Sequence, residues 1–99
     1  MKTIRVTKTA RKDLHDIWNY IASDSPAAAT KVTDAIYAGI QQIAEMPGMG
    51  HPRRDVAISS YRFWKVYSYL IAYRLHGKTL VISRVVHGAR DLSRLFKRR

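Results

Sequence analysis

The hydrophobic period of this chain changes twice, and the changes divide it into a strand, two helices and a group of strands. Residues 2–6, KTIRV, alternate polar and apolar and are β-rich, which predicts a first strand. From there the apolar positions fall at Ala10, Leu14, Ile17, Trp18 and Ile21, the spacing of one helical face. Thr7 or Thr9 serves as the N-cap, and Arg11, Lys12, Asp13, Asp16 and Asn19 are expected on the outer face. The stretch SDSPAAA stops that helix and starts another, with Ser25 as cap and Pro26 at the first helical position, where a missing N–H costs nothing. Ala29, Val32, Ile36, Ile40 and Ile43 form the second stripe, so the two helices make an antiparallel hairpin. The Gly/Pro-rich segment MPGMGHPRRD then reads as a loop carrying Arg53 and Arg54.

Beyond the loop the period becomes strand-like. YRFWKVY (61–67), YLIAYRL (69–75) and TLVISRVVH (79–87) are dense in aromatic and β-branched residues. Ser68 leaves so little room that the first two runs are either one bent strand or a tight meander. HGK at 76–78 is a tight hairpin turn. The last two runs are apolar on both faces, so a layer must cover one of them, and the helical hairpin is available. ARDLSRLFKRR closes the chain as a short basic helix or tail docked by Leu92, Leu95 and Phe96. The order β-α-α-β-β-β gives an α+β fold: an N-terminal strand and an antiparallel helical hairpin on a small antiparallel sheet, one domain over residues 1–99.

Charge adds a partner to this picture. Lys and Arg number 18 against 7 Asp and Glu, a net charge of +11. Residues 1–50 hold six basic and five acidic side chains, and residues 51–99 hold twelve and two. Such a lopsided surface calls for an anionic companion: nucleic acid, an acidic protein segment or an anionic membrane surface. The chain has no cysteine, no run of eighteen apolar residues and no apolar stretch after Met1. The expectation is a protein of a reducing compartment, cytoplasmic and without a membrane partner.

Enzymatic motifs are scarce. There is no P-loop, no GxGxxG and no HExxH, and His15, His51, His76 and His87 are too scattered to predict a metal site, so neither metal nor cofactor is expected. What remains is Arg62, Lys65, Arg74 and Arg84 on strands that end at His87. Metal-free RNA cleavage needs a base for the 2′-hydroxyl and cations for the phosphorane, and Arg62, Arg74, Arg84 and His87 supply those types. The alternative is that these arginines form ion pairs or meet an acidic partner. Arg74 and Arg84 share a face only if the HGK hairpin has an odd loop; a two-residue loop separates them. The His87–Gly88 corner reads either as an acid–base site or as packing, with the imidazole bound to the following turn, and packing is the favoured reading. Tyr61, Phe63, Trp64, Tyr67, Tyr69 and Tyr73 read as core more readily than as a base-stacking stripe.

ARKDLHDIWNYIASDSPAAA, MPGMGHPRRD, YRFWKVYSYLIAYR and LVISRVVHGARDL, in that order, resemble the ParE branch of the RelE/ParE toxin superfamily from about residue 2 to residue 95. The resemblance implies the toxin of a bacterial type II toxin–antitoxin pair, causing growth arrest and stabilising a plasmid or chromosome. It also implies a cognate antitoxin with an acidic, partly disordered tail, and a toxin–antitoxin hetero-oligomer. RelE-like members cut mRNA on the ribosome, whereas ParE-like members inhibit DNA gyrase and hydrolyse nothing. The segment GARDLSRLFKRR lacks the tyrosine of the nuclease branch, and HGARDL is ParE-like. The expectation is therefore a gyrase inhibitor, with a metal-independent mRNA endoribonuclease as the alternative and a non-toxic nucleic-acid-binding module as a third reading. Arg53, Arg54, Arg94, Lys97, Arg98 and Arg99 are the candidate gyrase contacts. Arg62, Arg74 and Arg84 are the candidate antitoxin contacts, in a groove expected between the helical hairpin and the sheet.

Overall fold

The computed structural model describes residues 3–52, 61–88 and 91. Strand β1 (Thr3–Val6) leads into helix α1 (Lys8–Ala22), helix α2 (Pro26–Glu45) and a 3₁₀ turn at Pro47–Met49, followed by strands β2 (Arg62–Val66), β3 (Tyr69–His76) and β4 (Thr79–His87). Both helix starts follow the capping chemistry in the sequence. The Thr7 hydroxyl accepts from the Ala10 N–H, and the Ser25 hydroxyl accepts from the Ala28 N–H with Pro26 in the first turn. Thr33 takes a buried place on α2 where the sequence stripe assigned Val32, and its hydroxyl is satisfied by the Ala29 carbonyl at 3.0 Å. Trp18 lies at the border of the hairpin, donating from Nε1 to the Thr30 hydroxyl at 3.3 Å.

The sheet order is β1-β4-β3-β2. The expected antiparallel meander β2–β3–β4 is present, but β1 adds to β4 in parallel, so the sheet is mixed and not purely antiparallel. The helical hairpin is long enough to serve as the crossover that a parallel neighbour requires. The meander is tight at both ends. Tyr67 turns between β2 and β3 with φ 53°, and Gly77 turns between β3 and β4 with φ 61°.

The main core lies between helices and sheet. Leu14, Ile17, Ile36, Ile40 and Ile43 meet Ile71, Tyr73, Leu80, Ile82 and Val85. A smaller cluster of Phe63, Leu70, Ala72 and Val86 is buried on the opposite face of the sheet.

One irregularity decides where the charges go. Leu80 and Ile82 point into the core, and strict alternation would send Arg84 in after them. The pairing shifts between Ala72 and Tyr73, so that Tyr73 faces Ile82 while Ala72 faces Arg84, and Ser83 is the extra residue on β4. This bulge turns Val85 inward, where it is 2% exposed, and leaves Arg84 on the other face.

Candidate functional site

The bulge also settles the face of the two strand arginines. The β3–β4 loop is two residues long, Gly77–Lys78, which by alternation alone would separate Arg74 from Arg84. With Ser83 inserted, Ala72 and Arg84 are partners, and Arg74 shares the face of Ala72 two residues along β3. Both line an open cleft of about 880 Å³ on the face of the sheet away from the helices, together with Thr3, Arg5, Tyr61 and Ser83. The main core fills most of the space between hairpin and sheet. A groove of about 390 Å³ remains between α1 and the sheet, lined by Asp13, Asp16, Tyr20, Tyr69, Arg84 and His87. Of Arg62, Arg74 and Arg84, only Arg84 lines it.

Each arginine has a different local task. Arg84 is held by Asp13 of α1, with Nε and one terminal nitrogen donating to the two carboxylate oxygens at 2.8 and 3.0 Å. Asp13 also accepts the Val85 backbone N–H at 2.9 Å. It therefore does for β4 what a continued β1 would have done, since the β1 ladder stops at Val6–Ile82. This corrects the expectation that Asp13 lies on the outer face of α1: it is half-buried against β4. The hydrogen bonds that Arg84 donates to Asp13 lift its guanidinium above its ordinary pKa, against the opposing effect of burial.

Arg62 alternates with Phe63 and faces the helix side, opposite Arg74. It donates to the Gly50 carbonyl at 2.7 Å. Beside it, the buried Tyr73 hydroxyl donates to the Pro47 carbonyl at 2.7 Å and accepts the Gly50 N–H at 2.9 Å. Burial raises the Tyr73 phenol above its ordinary pKa of 10.0, while the Gly50 bond and the nearby Arg62 pull the other way. Arg62 and Tyr73 thus clasp the turn that follows α2.

His87 pairs with Tyr69 and so lies on the helix side, its ring edge-on to Tyr69 with centroids 5.8 Å apart. Its backbone N–H donates to Asp91 at 3.3 Å, and the Gly88 N–H donates to the Ser68 carbonyl at 2.8 Å. The corner is therefore tied by backbone bonds. By register, His87 and Arg62 occupy one side of the sheet and Arg74 and Arg84 the other. Arg53, Arg54, Arg94, Lys97, Arg98 and Arg99 lie outside the described residues, as do Leu92, Leu95 and Phe96. Among the described residues no group of three His, Asp or Glu side chains is placed to hold a metal ion, and no helix is long and apolar enough to cross a membrane.

Of the aromatic residues, Phe63 and Tyr73 are core, Tyr61, Trp64 and Tyr69 are half-buried, and Tyr67 is 54% exposed. Two residues that matter to this site, Arg5 and Asp13, were not singled out by sequence. The available signal for Asp13 was the arginine that strict alternation would have buried.

The family model for the ParE toxin of the type II toxin–antitoxin system parDE matches residues 4–92. Toxin ParE1 of Caulobacter vibrioides is 36% identical over 90 residues, covering 88% of this chain and 90% of that protein. Toxin RelE3 of the same organism is 25% identical over 87 residues, covering 88% and 95%. Among solved structures, a toxin–antitoxin complex RelBE2 from Mycobacterium tuberculosis matches with TM-score 0.61 and 28% identity, over 87% of this chain and 90% of that one. The chromosomal ParDE system of P. aeruginosa matches in fold, with TM-score 0.74 at 21% identity, over 88% and 96%. The mixed sheet under a helical hairpin, the matched span and the ParE1 likeness agree: the chain belongs to the ParE toxin family of type II toxin–antitoxin systems.

Proposed function

We propose that this toxin acts by gripping its target, that the target is DNA gyrase, and that a cognate antitoxin with an acidic segment neutralises it. The observation that carries the reading is that Arg62, Arg74, Arg84 and His87 do not converge on one point. Arg84 lines one cleft with Arg74 and a second, of about 390 Å³, with His87, Asp13 and Asp91. A general base works within hydrogen-bond reach of the proton it takes, beside the cations that steady the developing charge. Here His87 faces the helices, Arg84 is committed to Asp13, and Arg62 is committed to Gly50. Arg74, packed over the Tyr61 ring, is exposed in the cleft and among the described residues has no carboxylate partner. That arrangement supports binding over cleavage.

The antitoxin reading is supported by the surplus positive charge and by the two structural neighbours, whose names describe a ParDE system and a toxin–antitoxin complex. Its acidic segment meets Arg74 and the outer flanks of Arg62 and Arg84, with charge steering its approach. Gyrase is met by the basic terminus, Arg94, Lys97, Arg98 and Arg99, with Arg53 and Arg54 of the loop. The test is supercoiling by purified gyrase in the presence of the full chain, run beside an in vitro translation assay. Gyrase inhibition with intact transcripts is expected. Untouched supercoiling with cleaved mRNA would replace this reading with the endonuclease one. Replacing the four terminal basic residues with Ala is expected to abolish growth arrest, and undiminished arrest would reject that contact.

A further inference from the structure

We infer that the open face of the sheet is a binding site for the backbone of single-stranded nucleic acid. The inference goes beyond the target and antitoxin readings; it shares Arg74 with the antitoxin reading, so an acidic antitoxin segment and a nucleic-acid strand would compete for this face.

The geometry comes from the register. Arg5 of β1 pairs with Val81 of β4, and Val81 pairs with Arg74 of β3, so the two arginines lie in one row across three strands. Their backbones are two strand spacings apart, about 10 Å, with buried Val81 as an apolar floor between them. The next row, Thr3–Thr79–His76, is polar from end to end. Thr9 and Ser83 add hydroxyls at the opposite end of the same cleft. Among the described residues no carboxylate lines it: the charged lining residues are Arg5, Arg74 and Arg84, and of these only Arg84 is seen paired, with an aspartate outside the cleft. Tyr61 forms one wall, with the Arg74 guanidinium 5.7 Å from its ring centroid.

A row of unneutralised cations, hydroxyl donors beside them and an aromatic ring with a cation over it match the chemistry of a phosphodiester chain with splayed bases. The arginines take phosphates, the hydroxyls donate to phosphate or sugar oxygens, and the ring offers a base a stacking face. A carboxylate peptide would use the arginines and hydroxyls and leave the ring idle. Duplex DNA is too stiff and wide to seat its bases against Tyr61, so the single strand is the form that fits.

The probe is a fluorescein-labelled oligothymidylate, titrated with the full chain by anisotropy at a series of salt concentrations. Arg5→Gln with Arg74→Gln is compared with Arg11→Gln with Lys31→Gln, which removes the same charge from the exposed helices. All four residues are exposed, and circular dichroism checks that each variant keeps its fold. The cleft variant is expected to bind roughly tenfold or more weakly, with a salt slope lower by about 1.4, two phosphate contacts at about 0.7 each. The helix variant is expected to bind nearly as the parent does. Tyr61→Leu is expected to weaken binding without changing the slope. Equal weakening in the two double variants would reduce the effect to net charge and overturn the site, as would absence of binding by the parent. Binding that is undiminished in Tyr61→Leu and is displaced by poly-L-glutamate at lower charge concentration would overturn it in favour of a plain acidic-peptide surface.

Discussion

Replacing Asp13 with Ala removes one carboxylate and three hydrogen bonds, and the structure lets each loss be weighed. The Val85 N–H, on a strand residue that is 2% exposed, loses its acceptor; a buried donor left unmade costs about 1–3 kcal/mol. The Arg84 side chain, 27% exposed beside an Asp13 side chain at 13%, loses its counter-charge. A fully buried pair broken on one side costs about 3–5 kcal/mol, but solvent reaches this guanidinium and reduces the share to about 1–2 kcal/mol. The expected total is about 2–5 kcal/mol. Asp13→Asn keeps an oxygen for Val85 and loses only the charge, so about 1–2 kcal/mol is expected. Removing Arg84 as well as Asp13 takes away the stranded cation, so the double variant is expected to be more stable than the sum of single losses by at least about 1 kcal/mol. Urea unfolding followed by tryptophan fluorescence measures all four proteins. The arginine side of this contribution is the same across neutral pH: a raised pKa means the stabilisation is complete below the ordinary arginine value and is lost only as pH rises through the still higher folded value. Asp13→Ala within about 0.5 kcal/mol of the parent, or strictly additive losses, would refute the view that this carboxylate closes the edge of β4.

Gly50→Ala tests the clasp after α2. A Cβ there would lie 2.7 Å from two carbons of the Tyr73 ring, displacing the hydroxyl that holds Pro47 and Gly50, and a loss of about 2 kcal/mol or more in urea unfolding is expected. Tyr73 itself predicts an alkaline limb. Its pKa is raised in the folded state, so its contribution is complete below 10.0 and is lost as pH rises through the folded value; Tyr73→Phe should flatten the stability decline above pH 10, and ultraviolet titration should lose its latest-ionising phenol.

The helices were legible because their signals are local: Thr7 and Ser25 cap their own first turns, and Pro26 can only begin a helix. The β3–β4 hairpin was legible for the same reason, since Gly77 supplies the left-handed residue its turn needs. The parallel place of β1 was not, because nothing in KTIRV distinguishes an edge beside β4 from an edge beside β2. Nor was the clasp at Tyr73, where a hydroxyl in an apolar run gives no hint of carbonyl partners twenty-six residues away. The parity of Arg74 and Arg84 failed for a sharper reason. Loop length was treated as deciding it, whereas a single extra residue, Ser83, reverses every assignment beyond it.

That reversal links the core to the surface chemistry. The segment Leu80–Val86 must bury Leu80 and Ile82 on one side and still keep a charged Arg84 out of the helix-packed core. The bulge at Ser83 achieves this, and Thr7 and Asp13 hold it by taking the Ser83 carbonyl and the Val85 N–H. Without it, Arg84 would demand a partner inside the core and Val85 would lie outside. With it, the helix side of β4 stays apolar up to His87, and the outer face keeps Arg5 and Arg74 in one row with their charges unspent. The same backbone irregularity therefore puts Arg84 on the outer face with Arg74 and His87 on the side of Arg62. A Ser83 deletion that restored strict alternation would be expected to lose the core before it changed any activity.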